Sequence, residues 1–310
     1  MNIVYAGAPE FSLAPLRAII GAGHRVVAVV TQPDKPVGRK GVITPTPLKS
    51  YALREGIPVC DYAKIREHVD KLCELGADIM VTCAYGQLLT ESVLNAFPLG
   101  VFNIHASLLP LYRGAAPIAA CILHGESETG ITVMKTDIGL DTGDMLLQKK
   151  IKISPEDTAG TLSEKLSILG AECIVEALAL IEQGSAVFTP QNESYATMVR
   201  KIGKEQALID FSAGAKEIVD LVRAMNPSPV AFTYLKGKSL NVYRAETVQD
   251  GEGVAGEVLR ADKTGISVKT GNGAVRLLEI QPEGGRRMRA ADFVNGRKIV
   301  AGDMFTRERT

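Results

Sequence analysis

Strand-like and helix-like hydrophobic patterns alternate along the first half of the chain. Short continuous apolar runs predict buried strands, whereas apolar residues spaced three and four positions apart predict helices. The runs predict strands at residues 2–6, 26–30, 78–83, 101–105 and 131–135. The helical spacing falls at residues 11–20, 65–75, 115–123 and 158–181. Strands separated by helix-length segments predict parallel βαβ units, and therefore a Rossmann-like, doubly wound α/β sheet that is mostly parallel.

The pattern changes after residue 187. Residues 188–207 are polar and contain Pro190, so they predict a linker. Beyond them, a helical stretch at 216–225 precedes short strand-like runs at 231–235, 240–245, 256–261, 265–269 and 274–280. Short strands divided by turn residues favour a small OB-like β-barrel. We therefore predict a catalytic domain at 1–187, a linker at 188–207 and an OB-like domain at 208–310.

Composition narrows the class of protein. With 310 residues and 46% hydrophobic content, the chain is long enough for two domains with buried cores. It shows no signal-peptide pattern and no apolar run near the ~20 residues that span a bilayer, so we expect a cytoplasmic protein. We also expect a monomer. The five cysteines form no C-x-x-C pair and the four histidines no H-x-x-x-H pair, so we expect no metal site.

Three polar residues between positions 103 and 144 have the chemistry that acyl transfer requires. Asn103 and His105 are two residues apart on a predicted strand, so both side chains project from one face. An amide and an imidazole there can stabilise the oxyanion that forms when a carbonyl carbon is attacked. Asp141 can orient the imidazole or take a proton from the nucleophile. Because no Ser or Cys lies in a nucleophile-elbow motif, direct transfer is favoured over a covalent acyl-enzyme.

Each of these groups also has an ordinary structural interpretation. A histidine at a strand end is more often a hydrogen-bonded structural residue, and Asp-Thr-Gly-Asp alone is a good turn. As an ordered set, however, the motifs resemble those of the 10-formyltetrahydrofolate-dependent formyltransferases. The set consists of Asn103-x-His105, Ser107-Leu-Leu-Pro110, Arg113-Gly114 and Asp141-Thr-Gly-Asp144.

The resemblance covers essentially the whole chain and is greatest to the family members that act on tRNA. It implies transfer of a formyl group from 10-formyltetrahydrofolate, the co-substrate, to the α-amino group of methionine on initiator methionyl-tRNA. In that scheme Asn103 and His105 bind the formyl oxygen, while Asp141 holds His105 and assists proton removal from the amine. The residues that the resemblance places around the folate are Tyr85, Gly86, Ser107, Leu108, Leu109, Pro110 and Asp144.

Basic residues at several positions are candidates for tRNA binding. One candidate is the loop that contains Lys35, Arg39 and Lys40. Its charge and composition alone fit a solvated surface loop as well as a tRNA-binding loop. The resemblance implies that this loop wedges against the acceptor end of the tRNA, with Arg39 foremost. Such charges would position phosphates and make affinity fall with salt. The other candidates are Arg200, Lys201, Lys204, Arg286, Arg287 and Arg289.

Several other functions share part of this pattern. The nearest is a formyltransferase that acts on an amino sugar nucleotide, which would share the catalytic trio and a C-terminal domain. A glycinamide ribonucleotide formyltransferase would be much shorter. A folate-dependent hydrolase would release formate, and a non-catalytic RNA-binding protein would not need the trio. Nicotinamide chemistry is not supported, because the turn at Gly7-Ala8-Pro9 lacks the G-x-G-x-x-G fingerprint.

Overall fold

The computed structural model describes residues 1–38, 41–249 and 251–309, and the contacts divide the chain into two units. The first unit comprises Met1–Pro117, Glu128–Lys152 and Ser163–Arg200. The second comprises Ile118–Ser127, Ile153–Leu162 and Lys201–Thr310. Two predicted tRNA contacts, Arg39 and Lys40, lie outside the described residues.

The first 200 residues contain strands and helices in alternation. The strands are β1 Asn2–Gly7, β2 Arg25–Thr31, β3 Lys35–Val37, β4 Val42–Thr44, β5 Val59–Asp61, β6 Ile79–Cys83, β7 Val101–His105, β8 Arg113–Gly114, β9 Glu128–Lys135, β10 Met145–Lys152 and β11 Met198–Val199. The helices are α1 Leu13–Gly21, α2 Pro47–Arg54, α3 Val69–Glu74, α4 Glu91–Leu94, α5 Pro117–Leu123 and α6 Ala159–Glu182. None of the described helices combines the length and hydrophobicity needed to span a bilayer.

The main sheet of the first unit has the strand order β10-β9-β7-β6-β1-β2-β5 among the described residues. β5, β2, β1, β6 and β7 are parallel to one another. Every residue of β6 is buried, as expected for a central strand covered on both faces and therefore apolar throughout. The predicted Rossmann-like, mostly parallel sheet is thus confirmed.

One predicted βαβ unit is wrong, because β9 runs antiparallel to β7. α5 between them has 7 residues, which gives only about 10 Å of helix. The connection therefore does not return to the start of β7, and Thr132 of β9 pairs with His105 at the end of β7. The loop that follows β9 then leads into β10, which is antiparallel to β9.

The second unit is built around a curled antiparallel sheet with two further helices. Its strands are β12 Ala231–Leu235, β13 Lys238–Val248, β14 Val258–Asp262, β15 Gly265–Lys269, β16 Ala274–Pro282, β17 Met288–Arg289 and β18 Phe305–Thr306, and its helices are α7 Ala215–Ala224 and α8 Ala290–Asn295. The strand order is β14-β15-β16-β13-β12-β18, with β17 on β16. Ile218 and Val222 of α7 are buried in the same apolar cluster as Val242 and Ile280. This half-barrel confirms the predicted fold class.

Candidate active site

Asn103 lies on β7 beside the neighbouring strand β6, and the pairing of the two strands determines its orientation. Thr82 of β6 is the register partner of Asn103, and its hydroxyl donates to Asn103 Oδ1 at 2.9 Å. Because the carbonyl oxygen of the amide accepts this bond, Nδ2 with its two N–H groups is on the opposite side. Nδ2 lies 3.4 Å from Asp141 Oδ1. The strand pair therefore aims an amide donor toward the Asp141 carboxylate.

His105 is 5% exposed at the end of β7. Its Nε2 lies 3.0 Å from the main-chain oxygen of Tyr112. A carbonyl oxygen can only accept, so Nε2 carries the proton of this hydrogen bond. The other ring nitrogen, Nδ1, lies 3.6 Å from Asp141 Oδ2. The main chain thus assigns the tautomer and leaves Nδ1 on the side of the carboxylate.

Asp141 reaches this position from the loop between β9 and β10. Its backbone has φ +55°, a left-handed conformation that is uncommon for a residue with a side chain. The carboxylate Oδ2 accepts a hydrogen bond from the Gly114 main-chain N–H at 2.8 Å. The structure therefore brings together all three residues that the sequence singled out, with one carboxylate facing both an amide and an imidazole.

Sequence reasoning missed the residues that hold the trio. Thr82 fixes the amide of Asn103, and the carbonyl of Tyr112 fixes the ring of His105. Gln191 donates from Nε2 to the main-chain oxygens of Asp141 and Gly143, each at 2.8 Å. Thr82 could be suspected from its place on the strand before β7, but Gln191 lies in the polar segment that predicted a linker.

The predicted folate residues fall into buried and exposed groups. Ser107 is fully buried, and its hydroxyl donates to the main-chain oxygen of Leu111 at 2.6 Å, so this side chain shapes the loop. Leu109 is 3% exposed, while Leu108 and Pro110 are half-buried. Tyr85 is buried, and burial raises the pKa of its phenol.

Two loops in this group contain exposed residues. Gly86 and Asp144 are exposed. Gly86 has φ +74° and follows Ala84 at φ +49°, so the chain turns sharply after β6 and presents main-chain groups to solvent. Gly86 and Asp144 are thus the most exposed residues of the predicted folate set.

The candidate tRNA-binding residues differ in how far their charges are already paired. Lys35 donates to Gln32 Oε1, and the Lys204 ammonium lies 5.5 Å from the ring centre of Phe232. Arg287 makes two 2.7 Å bonds to Glu279, which lower the pKa of that carboxyl. Arg289 pairs with Asp292 at 3.1 Å. In contrast, Arg200, Lys201 and Arg286 are exposed with no ion pair to another described residue.

Two further basic residues belong to the second unit's surface. Arg244 and Lys263 line a hollow of about 350 Å³ together with Arg289. Arg244 also lies 3.5 Å from Glu156. Neither residue was predicted, because Arg244 lies in a predicted strand and Lys263 in the turn between β14 and β15, outside the basic clusters of the sequence. Among the described residues, no cluster of His, Cys, Asp and Glu could hold a metal ion.

Family models match both parts of the chain. The formyl transferase model matches residues 1–178, and the model of the formyl transferase C-terminal domain matches residues 201–298. The first match alone covers more than half of the sequence. The chain belongs to the formyl transferase family.

Relatives of this formyl transferase extend over its full length. It is 45% identical over 307 residues to the methionyl-tRNA formyltransferase of Coxiella burnetii, covering 97% of this chain and 98% of the relative. It is 42% identical over 309 residues to the methionyl-tRNA formyltransferase of Agathobacter rectalis, covering 99% and 100%.

Solved structures share the fold of this formyl transferase at low sequence identity. HypX from Aquifex aeolicus, in complex with tetrahydrofolic acid, matches with a TM-score of 0.66 and 17% identity over 94% of this chain and 46% of HypX. The N-formyltransferase from Helicobacter canadensis, in complex with folinic acid and dTDP-3-aminofucose, matches with a TM-score of 0.66 and 20% identity over 89% and 98%. At these identities the similarity shows the fold.

Proposed function

We propose that this enzyme transfers the formyl group of 10-formyltetrahydrofolate to the α-amino group of methionine on initiator methionyl-tRNA. The observation that carries the proposal is the full-length similarity to methionyl-tRNA formyltransferases at 42–45% identity. The geometry supports it, because an amide, an imidazole and a carboxylate converge. Formyltransferases that act on amino sugar nucleotides are similar at about 20% identity and support only the fold.

Asn103 is the proposed donor to the formyl oxygen. Its Oδ1 accepts from Thr82, and the 3.4 Å contact to Asp141 involves a single N–H of Nδ2. The second N–H can point to an oxygen bound beside the trio. A fixed donor aimed at the charge that develops on attack contributes about 3 to 4 kcal/mol to transition-state stabilisation.

His105 is the proposed second donor, and its tautomer limits how it can act. Because Nε2–H donates to Tyr112, Nδ1 is the nitrogen that remains for the substrate. A neutral ring would present a lone pair there, so His105 donates to the formyl oxygen only as an imidazolium. The carboxylate of Asp141, 3.6 Å from Nδ1, balances that positive charge.

Asp141 is the proposed proton acceptor. The methionine amine forms a bond to the formyl carbon, the bond from that carbon to N10 of the folate breaks, and one amine proton must move to N10. A carboxylate beside the attacking amine can carry this proton directly or through water. The main-chain N–H of Gly114 holds Oδ2 at 2.8 Å, so the other oxygen is the one that we assign to proton transfer.

The folate would bind beside the two loops that contain the exposed residues Gly86 and Asp144. We propose that the Tyr85-Gly86 turn and the Asp141–Asp144 loop supply hydrogen bonds to the pterin. Leu108 and Pro110, both half-buried, would provide apolar contact at the rim. Ser107 and Leu109 are buried and would support the loop without touching the folate. Thr132 and Gln148 hold the main chain of this loop through hydrogen bonds to Leu109.

An acceptor assay tests the proposed function. The protein is incubated with 10-formyltetrahydrofolate and either methionyl-tRNA or a dTDP-linked amino sugar, and formylated products are measured. We expect formylmethionyl-tRNA and stoichiometric tetrahydrofolate, with no formylated sugar. Formylation of the sugar alone would replace the proposed acceptor. Formate release that does not depend on any acceptor would identify a hydrolase.

A further inference from the structure

Residues 189–199, called the strap below, run beside the loop that carries Asp141 and the loop that follows β7. At one end, Thr189 and Met145 exchange two main-chain hydrogen bonds of 2.9 Å each. At the other end, Met198 and Val199 pair in parallel with Arg113 and Gly114. The strap is thus attached to the start of β10 and to the loop after β7.

Gln191 is the strap residue that contacts the Asp141 loop. Its Nε2 donates both hydrogens, one to the main-chain oxygen of Asp141 and one to that of Gly143, each at 2.8 Å. Its Oε1 accepts from Arg113 Nε at 3.0 Å. Both the nitrogen and the oxygen of the Gln191 amide are therefore hydrogen-bonded, and the two carbonyls that it contacts lie on either side of Thr142.

Arg113 holds the oxygen end of the Gln191 amide, opposite the end that contacts the Asp141 loop. Arg113 is 3% exposed, and a buried guanidinium is stable only where its donors are paired. Nη1 and Nη2 of Arg113 donate to the Glu193 carboxylate at 2.9 and 2.7 Å, and these bonds raise the pKa of Arg113. Glu193 belongs to the strap as well, so Arg113 joins two strap side chains to the loop after β7.

The conformation of Asp141 explains why such a hold is needed. A non-glycine residue at positive φ costs on the order of 1 kcal/mol or more, and it persists only where the surroundings constrain it. The Gly114 N–H holds the carboxylate, while Gln191 holds the main-chain oxygen of the same residue. Without the second contact, the loop loses a constraint on where the carboxylate points.

We propose that Gln191 is a positioning residue that keeps the Asp141 carboxylate directed at Asn103 and His105. This inference rests on the proposed role of Asp141 in formyl transfer. Gln191 does not touch the reacting atoms and acts through the main chain of residues 141–143. Because Gln191 lies outside the matched region 1–178, the trio is held partly by a residue beyond the first family domain.

The variant Gln191→Glu tests this directly. It keeps the shape of the side chain and an oxygen for Arg113, but it places a second oxygen against two carbonyls. We expect kcat to fall at least about tenfold, because small misplacements of a catalytic group have large effects on rate. We expect the KM for 10-formyltetrahydrofolate to change less than about twofold, since transition-state contacts are the ones that weaken.

Asn192→Asp is the matched control. It makes the same chemical change one residue away, where the described hydrogen bonds of the side chain use only its oxygen. We expect kcat within about twofold of wild type. If Gln191→Glu lowers the thermal midpoint, Gln191→Met removes both donors without adding charge. Equal loss of kcat in the Met variant supports the proposal, and a normal kcat overturns it.

A double-mutant cycle with Asp141→Asn separates this proposal from the proposed function. If Gln191 acts through Asp141, Gln191→Glu lowers the residual rate of the Asp141→Asn enzyme far less than it lowers the wild-type rate. A full additional loss in that background would overturn the positioning role. Normal activity of Asp141→Asn alone would instead overturn the proposed role of Asp141.

Discussion

At the scale of single residues, the candidate site depends on which donors and acceptors of each polar side chain are already hydrogen-bonded within the protein. Thr82 uses the oxygen of the Asn103 amide, and the Tyr112 carbonyl uses one ring N–H of His105. Nδ2 of Asn103 and Nδ1 of His105 remain, and both lie on the side of the Asp141 carboxylate. The Asp141 carboxylate lies 3.4 Å from Asn103 Nδ2 and 3.6 Å from His105 Nδ1. The arrangement is therefore preorganised before any ligand binds.

This arrangement predicts the effect of removing each member of the trio. We expect Asn103→Ala, His105→Ala and Asp141→Ala each to lower the rate of formyl transfer by at least about a hundredfold. Single-turnover assays with saturating methionyl-tRNA would measure the change. Near-normal turnover of a well-folded His105→Ala enzyme would remove His105 from the mechanism.

Thr82→Val serves as a graded comparison in the same assay. It preserves the volume of a side chain that is 6% exposed but removes the bond that orients the Asn103 amide. We expect a loss of about tenfold, smaller than that of Asn103→Ala, because the donor is retained but less well held. A loss as large as that of Asn103→Ala would mean that Thr82 has a role of its own.

At the scale of secondary-structure elements, the sequence pattern predicted correctly the strands whose position depends on nearby apolar and turn residues. The strands at 231–235 and 265–269 lie where the apolar runs between turn residues placed them. The helix predicted at 65–75 is instead a 3-10 turn, Ile65–Glu67, followed by α3 from Val69. The direction of β9 was also missed, since strand direction depends on how the connection packs.

The contacts of Gln191 illustrate what a single sequence cannot reveal. The residue is 50 positions from Asp141 and 78 from Arg113 along the chain. Its neighbours are polar, so the local pattern indicated a loop. The trio was visible because Asn103 and His105 are two residues apart on a strand, whereas the residues that position Asp141 come together only in the folded chain.

Helix α7 offers a prediction about stability at this scale. Asp220 is 4% exposed and pairs with Arg223 at 2.5 Å and with Lys216 at 2.6 Å. Arg223 also donates to the main-chain oxygens of Ser154 and Asp157. Asp220→Asn leaves a largely buried guanidinium without its carboxylate, so we expect the free energy of unfolding to fall by about 3 to 5 kcal/mol.

Hydrogen exchange of peptides from α7 under increasing urea would measure this loss locally. Lys216→Met is the control, because the Lys216 side chain is 71% exposed and an exposed ion pair contributes only about 0 to 1 kcal/mol. Protection of α7 that is unchanged in Asp220→Asn would show that the pair adds little to stability.

At the scale of the whole molecule, the total charge conceals an uneven distribution. The chain has 35 basic and 35 acidic residues, yet residues 208–310 contain 16 basic against 13 acidic ones. Many of these basic groups are already paired with carboxylates, as Arg287 is with Glu279 and Arg307 with Asp210. Binding of a polyanion therefore depends on which cations are unpaired, and not on their number alone.

Of the three predicted tRNA contacts in this part of the chain, Arg287 and Arg289 are paired with carboxylates. Arg286 is exposed and has no ion pair to another described residue, so it is the candidate to test. If it binds a tRNA phosphate, Arg286→Ala should reduce the slope of log affinity against log salt by about one. Arg307→Ala makes the same change in net charge but removes a guanidinium that Asp210 already pairs, so its slope should match wild type. Filter binding of methionyl-tRNA across a salt series would compare them. Equal slopes for Arg286→Ala and wild type would exclude a phosphate contact, and equal reductions in both variants would mean that net charge alone governs tRNA affinity.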